Sequence, residues 1–441
     1  LKSTKKERLG WYFYDWANSA FTTSIVTVFL GPYLASVATN AAQLVSPGNN
    51  FVEILGIPIK AGSFFPYMLS LSVILQVFLL PWLGAVADYS ARKKQLLLLF
   101  AYLGAVSTVG LFFLEGTNFL FGGVLFLVAN LSFGASIVVY NSFLNDIAEP
   151  EMRDTVSSNG WAFGYLGGGL LLALDLIIFT FSNSLGIEKS MAVRLSMASA
   201  GLWWAAFTIF PILWLRKNEE YKPVPKGGHI FTIGFRELFS TVKQARRLPK
   251  TLYFIVAYLF YNDGVQAVIG LTSVYAVDEL KLGNEFLIQV ILLVQFVAFL
   301  GALLFKFIAR ATKTKVSLLI SIGLWMAAVY YVYQFLMPGD EVRFLAVCLV
   351  IALVLGGTQA LSRSLFSRFI PRNKEAQYYS IYEISERGTS WLGPFLFGFI
   401  YQVTDSYRSA ILSLISFFII GFILLLFVNV GKTEQEAGNE E

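Results

Sequence analysis

The chain of 441 residues has one cysteine and one histidine, and only 14% of it is charged. Cys348 alone excludes an intramolecular disulfide and a cysteine-rich metal site. His229 alone excludes a multi-histidine metal site, and it sits in a basic stretch. No cofactor and no metal are therefore expected. The sequence has no Walker-type phosphate loop, no Ser-His arrangement and no polar stretch large enough for an ATPase domain, which argues against an enzyme. Charge near 25% is usual in soluble domains, so its scarcity here argues against a soluble protein as well. The first residues carry no cleavable signal-peptide pattern.

Apolar residues take the place of the missing charge, at 56% of the chain, with 41 Phe and 36 Gly. Lipid as solvent favours apolar side chains on nearly every helix face, and glycine lets helix backbones approach closely where no hydrophobic effect drives association. A spanning helix needs about 20 mostly apolar residues. Twelve such runs are present, at 11–39, 64–87, 95–114, 119–147, 160–181, 191–215, 250–277, 285–308, 316–336, 343–369, 380–403 and 407–430. An all-α membrane protein is expected, with a first six-helix half over 1–215, a basic linker over 216–249, a second six-helix half over 250–430 and an acidic tail over 431–441. Within the linker, Phe231 to Arg247 reads as an amphipathic segment lying on anionic lipid. The tail from Thr433 is expected to be disordered.

Lysine and arginine set the orientation. Of the 33, 24 fall on the side that holds both termini and the linker, and six on the other. Both termini are therefore expected in the cytoplasm. The net charge of +5 is confined to these short segments, so nucleic acid is not an expected partner. The expected partners are the lipid bilayer, a small-molecule solute and a coupling proton or cation, with the protein as a monomer. The short loops favour a bacterial inner membrane over a vacuolar one.

The halves repeat in the same order. Phe13-Tyr14-Asp15-Trp16-Ala17-Asn18 opens the first, and Phe260-Tyr261-Asn262-Asp263-Gly264 sits early in the second. Gly164-Tyr165-Leu166-Gly167 is matched by Ser390-Trp391-Leu392-Gly393. Parallel repeats of this kind enclose a central cavity between two halves.

Between the second and third runs stands Gly84-Ala85-Val86-Ala87-Asp88-Tyr89-Ser90-Ala91-Arg92-Lys93-Lys94. It resembles the loop signature of the major facilitator superfamily, Gly-x-x-x-Asp-Arg/Lys-x-Gly-Arg-Arg/Lys, with Tyr89 and Ala91 departing from it. Pro150-Glu151-Met152-Arg153 resembles the corresponding later loop. Tyr14-Asp15-Trp16-Ala17-Asn18-Ser19-Ala20-Phe21 looks like the hallmark of the vacuole-effluxer-like branch of that superfamily. Tyr140-Asn141-Ser142-Phe143-Leu144, Tyr261-Asn262-Asp263-Gly264-Val265 and Gln359-Ala360-Leu361-Ser362-Arg363-Ser364-Leu365-Phe366 agree with it. The resemblance implies a twelve-helix transporter of the autophagy-related amino-acid effluxer type, in a bacterial form.

Polar residues inside spans are costly and normally face a cavity or one another. Asp15, Asn18, Ser19 and Thr22 fall on one helix face. Asn262, Asp263 and Gln266 repeat that pattern, and Gln359 and Arg363 share a face of the tenth run. Asp15, Asn18, Asn262, Asp263, Gln266, Gln359 and Arg363 are therefore the candidates for a solute or ion pathway, where two acids and an arginine suit a zwitterion. Bland readings stand beside these: Asp15 as a residue flanking the first span, and Arg363 as a partner that neutralises an acid. Asp88, Arg92, Glu386 and Arg387 are candidates for a gate at the cytoplasmic ends, with the basic run Arg92-Lys93-Lys94 fixing topology and gripping lipid. Asp175 reads equally as a protonatable site or as a residue paired across helices. The function expected is secondary active transport by alternating access. The rival, a non-transporting receptor or scaffold, lacks the folded extramembrane module it would need.

Overall fold

In a computed structural model of the chain, residues 4–54, 56–89, 92–216, 249–372, 374–387 and 392–438 are described. The linker candidate Phe231 to Arg247 lies outside them, as does His229. The architecture is helical and polytopic. The first half comprises α1 (Lys5–Val45), α2 (Ala61–Asp88), α3 (Lys93–Phe113), α4 (Phe119–Ile147), α5 (Pro150–Thr180) and α6 (Lys189–Trp214). The second comprises α7 (Pro249–Asp278), α8 (Asn284–Thr312), α9 (Thr314–Phe335), α10 (Glu341–Ser367), α11 in two pieces (Glu375–Arg387 and Leu392–Thr404) and α12 (Tyr407–Phe427). Among the described residues, eleven helices are long and apolar enough to cross a membrane, and the two pieces of α11 supply the twelfth span. The face that carries both chain ends is called the terminal face below.

Several helices exceed their apolar runs where polar residues find partners, whereas α4 matches its run and α12 stops short of its own. Thr4 starts α1 with a capping box: the Glu7 N–H donates to the Thr4 hydroxyl at 3.2 Å, and the Thr4 N–H to the Glu7 carboxylate at 2.8 Å. That start makes Asp15 an interior helical residue rather than a flanking one. Inside α1, Phe21–Phe29 is wound as a π-helix, a feature frequent at functional sites. α11 begins at Glu375, earlier than its apolar run, because its polar first turns are buried against the first half.

Two hydrophobic clusters form, one from each half. Small residues set how near the helices come. A Cβ on Gly201 of α6 would lie 2.6 Å from the Val109 backbone nitrogen of α3. A Cβ on Gly301 of α8 would collide with the Leu353 backbone of α10.

Two elements depart from expectation. Between α1 and α2, β1 (Phe51–Ile54) and β2 (Ile57–Lys60) pair antiparallel with Phe51 opposite Lys60. The tail, expected to be disordered, is helical: α13 spans Val430–Gly438. The Asn429 side chain accepts from the Lys432 N–H at 3.1 Å. Glu434 lies 4.0 Å from Arg368, and Glu436 lies 3.8 Å from Lys250. The acidic residues that suggested a solvated tail meet the basic ends of α7 and α10 instead.

Candidate functional site

Helix α5 presents glycines to α1, so the two backbones nearly touch. A Cβ on Gly160 would lie 2.6 Å from the Trp11 ring and 2.8 Å from Asp15 Oδ2; one on Gly167 would lie 2.6 Å from the Trp16 carbonyl. This close seam leaves Asp15 buried between the helices.

Arg363 of α10 reaches the same point from the other half. Its Nη1 and Nη2 each donate to Asp15 Oδ2 at 3.3 Å. Its Nε donates to the Ser157 hydroxyl and Nη2 to the Ser157 carbonyl, both at 2.9 Å. Nη1 also donates to Asn141 Oδ1 at 3.3 Å, and Asn141 Nδ2 donates to Glu383 Oε1 at 2.8 Å. The guanidinium lies over the rings of Trp11 at 4.7 Å, Trp161 at 5.2 Å and Tyr140 at 5.7 Å. A planar cation with a fork of donors suits such a place, since it satisfies carboxylate, amide and aromatic faces together. Five helices, α1, α4, α5, α10 and α11, contribute to this cluster.

The other pathway candidates surround it unevenly. The Tyr165 hydroxyl donates to Gln359 Oε1 in a very short contact. Asn262 Nδ2 donates to the Glu386 carbonyl at 3.1 Å. Gln266 is half-buried one turn further along α7. Asn18 is buried with its Nδ2 unpartnered, and Asp263 is buried with no side-chain donor on either carboxyl oxygen, among the described residues, while the Gly393 backbone N–H acts on that carboxyl. Asp15 and Arg363 are thus brought together, while Asp263 lies on α7 beside Gly393 of α11.

A second cluster closes the terminal face. Asp88, at the end of α2, accepts from the Ala376 N–H at 3.0 Å and the Gln377 N–H at 2.9 Å. A carboxylate at a helix N-terminus satisfies free amides and complements the helix dipole. Gly84 permits the approach, because a Cβ there would lie 2.6 Å from the Ala376 carbonyl oxygen. Lys93 Nζ sits among three acids, at 3.6 Å from Glu375, 3.7 Å from Asp146 and 3.9 Å from Asp88. Asp154 of α5 gathers a third group: the hydroxyls of Ser364 at 2.5 Å and Thr314 at 2.6 Å, and Arg368 at 3.2 Å. Arg153 Nη1 donates to the Ser367 carbonyl at 2.6 Å. The bonds that join the halves therefore run from the terminal face to the middle of the bundle.

Of the gate candidates, Asp88 lies in this contact, Arg92 is exposed just before α3, and Glu386 offers its carbonyl to Asn262. The Arg387 side chain is not among those described. The reading of Arg92-Lys93-Lys94 as a lipid grip is corrected for two of the three. Lys93 is buried, and Lys94 Nζ donates at 2.6 Å to the carbonyls of Ile212 and Leu215 at the end of α6. The three acids around Lys93 and the carbonyls ending α6 attract them inward. Sequence reasoning missed Lys93, Asp154 and the aromatic cage of Arg363. An acid in the first turn after the loop that follows helix 4, Asp154 within Arg153-Asp154, was the available signal for one of them.

With this geometry in view, comparison with known proteins decides the family. The family described as vacuole effluxer Atg22-like matches residues 3–153 and 145–438. The chain belongs to this family. It is 28% identical over 434 residues to an uncharacterized MFS-type transporter, YxiO, of Bacillus subtilis, covering 97% of this chain and 96% of that protein. It is 27% identical to autophagy-related protein 22 of Coccidioides immitis, covering 99% of this chain and 88% of that protein. Solved structures share the fold. The human organic anion transporter MFSD10 superposes with a TM-score of 0.70 at 12% identity, covering 96% of this chain and 99% of that one. A bacterial homologue of the iron transporter ferroportin in its outward-facing state gives 0.66 at 13% identity, covering 96% and 98%. The chain is accordingly a major facilitator protein, a secondary transporter of small solutes, with twelve helices in two parallel halves.

Proposed function

We propose that this transporter carries a small zwitterion of the amino-acid class through a midplane site between its halves. The observation that carries the reading is the Arg363 cluster, in which one cation of the second half is held by Asp15, Asn141 and Ser157 of the first. A solute carboxylate competes with Asp15 for the guanidinium, and a solute ammonium meets Asp263, a buried acid with no side-chain donor on its carboxyl oxygens among the described residues. The effluxer description of the family supports export. The distribution of lysine and arginine supports placing the terminal face in the cytoplasm, and the Bacillus relative supports a bacterial inner membrane.

In this reading the conformation described is closed to the cytoplasm. Asp88, Lys93 and Asp154 hold the terminal face shut, and rocking of the halves about the midplane opens it. Asp88 and Glu386 serve the gate, and Arg92 lies at its rim. Asn18, Asn262, Gln266 and Gln359 position the solute.

Thermal unfolding of the purified protein across amino acids, sugars and organic acids tests the solute class. Amino acids are expected to raise the melting temperature of the wild type and to leave Arg363→Gln and Asp263→Asn unmoved. A shift produced by sugars alone, or one retained in both variants, would contradict the reading.

A further inference from the structure

A further buried acid lies apart from the Arg363 cluster. Asp175 of α5 is fully buried between α1 and α6. Ser24, in the π-helical stretch of α1, has its hydroxyl 2.8 Å from Asp175 Oδ2. Ser199 of α6 has its hydroxyl 2.7 Å from Asp175 Oδ1 and 2.8 Å from the Ser196 carbonyl.

Counting hydrogens decides the charge. A serine hydroxyl has one hydrogen to donate. Ser199 faces two acceptors if Asp175 is ionised, so one of its two contacts then goes unmade. If Asp175 carries a proton on Oδ1, both are made: Asp175 donates to the Ser199 oxygen, and Ser199 donates to the Ser196 carbonyl. Ser24 donates to Oδ2 in either case. An ionised carboxylate has about four lone-pair sites, and here it would have only hydroxyls facing it. The groups acting on Asp175 are the hydroxyls of Ser24 from α1 and Ser199 from α6, with no charged side chain among the described residues. A buried charge without a countercharge is strongly disfavoured. A bound metal cation fits poorly, because two hydroxyls and one carboxyl group are fewer oxygens than hard cations take.

The geometry points to Asp175 as a proton-binding site of the transporter, occupied in this conformation and separate from the solute site. Its position gives the proton leverage. Its own helix α5 and the neighbouring α1 also hold Ser157 and Asp15 against Arg363. Their seam is too tight to absorb a charge by spreading: a Cβ on Gly168 would lie 2.7 Å from the Thr23 hydroxyl. Deprotonation leaves one of the two Ser199 contacts unmade and loosens the α1–α5–α6 seam, which carries the change to the Arg363 cluster.

The test needs no knowledge of the solute. Infrared spectra of the full chain in lipid nanodiscs at neutral pH, in H2O and D2O, report protonated carboxyl groups by their carbonyl stretch. The wild type is expected to show such a band, and Asp175→Asn to lose one component that Asp263→Asn retains. Ser24→Ala removes a donor to Oδ2 and keeps the acid, so it is expected to move that same component to higher frequency; it also keeps the test decisive if Asp175→Asn does not fold. A spectrum unchanged by Asp175→Asn and by Ser24→Ala overturns the proposal. So does loss of the component when sodium replaces potassium, which would make this a cation site. Failure here leaves the solute site untouched, since the thermal-shift screen reads that site separately.

Discussion

Arg363 has five N–H groups and makes five hydrogen bonds, two to Asp15, two to Ser157 and one to Asn141. It lies 3% exposed, so its charge depends on protein partners rather than water. Breaking a buried ion pair by removing one partner typically costs about 3–5 kcal/mol, because the other charge is left uncompensated. Asp15→Asn is therefore expected to lower the melting temperature of the purified protein by several degrees, as read from tryptophan fluorescence. Arg363→Lys is expected to do the same, since an ammonium cannot make the fork. Wild-type melting in both variants would contradict the role given to this pair. A contrasting expectation holds for Glu434, whose contact with Arg368 is 4.0 Å long and 40% exposed on the acid. Exposed pairs contribute about 0–1 kcal/mol, so Glu434→Gln is expected to leave melting nearly unchanged, whereas Asp154→Asn, at the buried end of the same chain of contacts, is expected to lower it.

At the scale of helices, the approach of α11 to α2 depends on one missing side chain. Gly84→Ala places a Cβ 2.6 Å from the Ala376 oxygen, so the start of α11 must move and Asp88 loses its two amide donors. In a Cys348→Ser background, a cysteine at position 377 is expected to react several-fold faster with a water-soluble maleimide when Gly84→Ala is also present. Equal rates would mean that this contact does not hold the terminal face shut. The apolar runs made most helices legible in the sequence, because lipid demands that length and composition wherever the chain crosses. They understated α1 and α11, whose polar turns are stabilised by partners far along the chain, and such partners leave no local pattern. The pairing of Asp15 with Arg363, 348 positions apart, was open only from the side of Arg363, read as a partner that neutralises an acid. The burial of Lys93 was hidden by its neighbours, since Arg92-Lys93-Lys94 reads as a single basic run although Arg92 is exposed and Lys93 is 3% exposed. The helical tail was missed for a similar reason: its acids match basic residues at the ends of α7 and α10.

For the whole molecule, the two hydrophobic clusters remain largely separate, and polar bonds join them from the terminal face to the midplane. Apolar packing inside each half keeps it rigid, while a modest set of hydrogen bonds and ion pairs between halves is suited to being broken and remade. This division of labour is what alternating access requires, and it makes transport the decisive observable. Counterflow in proteoliposomes loaded with a mixture of unlabelled amino acids tests it most directly, with labelled amino acids supplied outside. The expected result is transient accumulation of label by the wild type, abolished by Arg363→Gln and by Asp263→Asn. Absence of exchange for every amino acid by folded, correctly reconstituted wild type, or full exchange by both variants, would contradict a midplane amino-acid site built on Arg363 and Asp263.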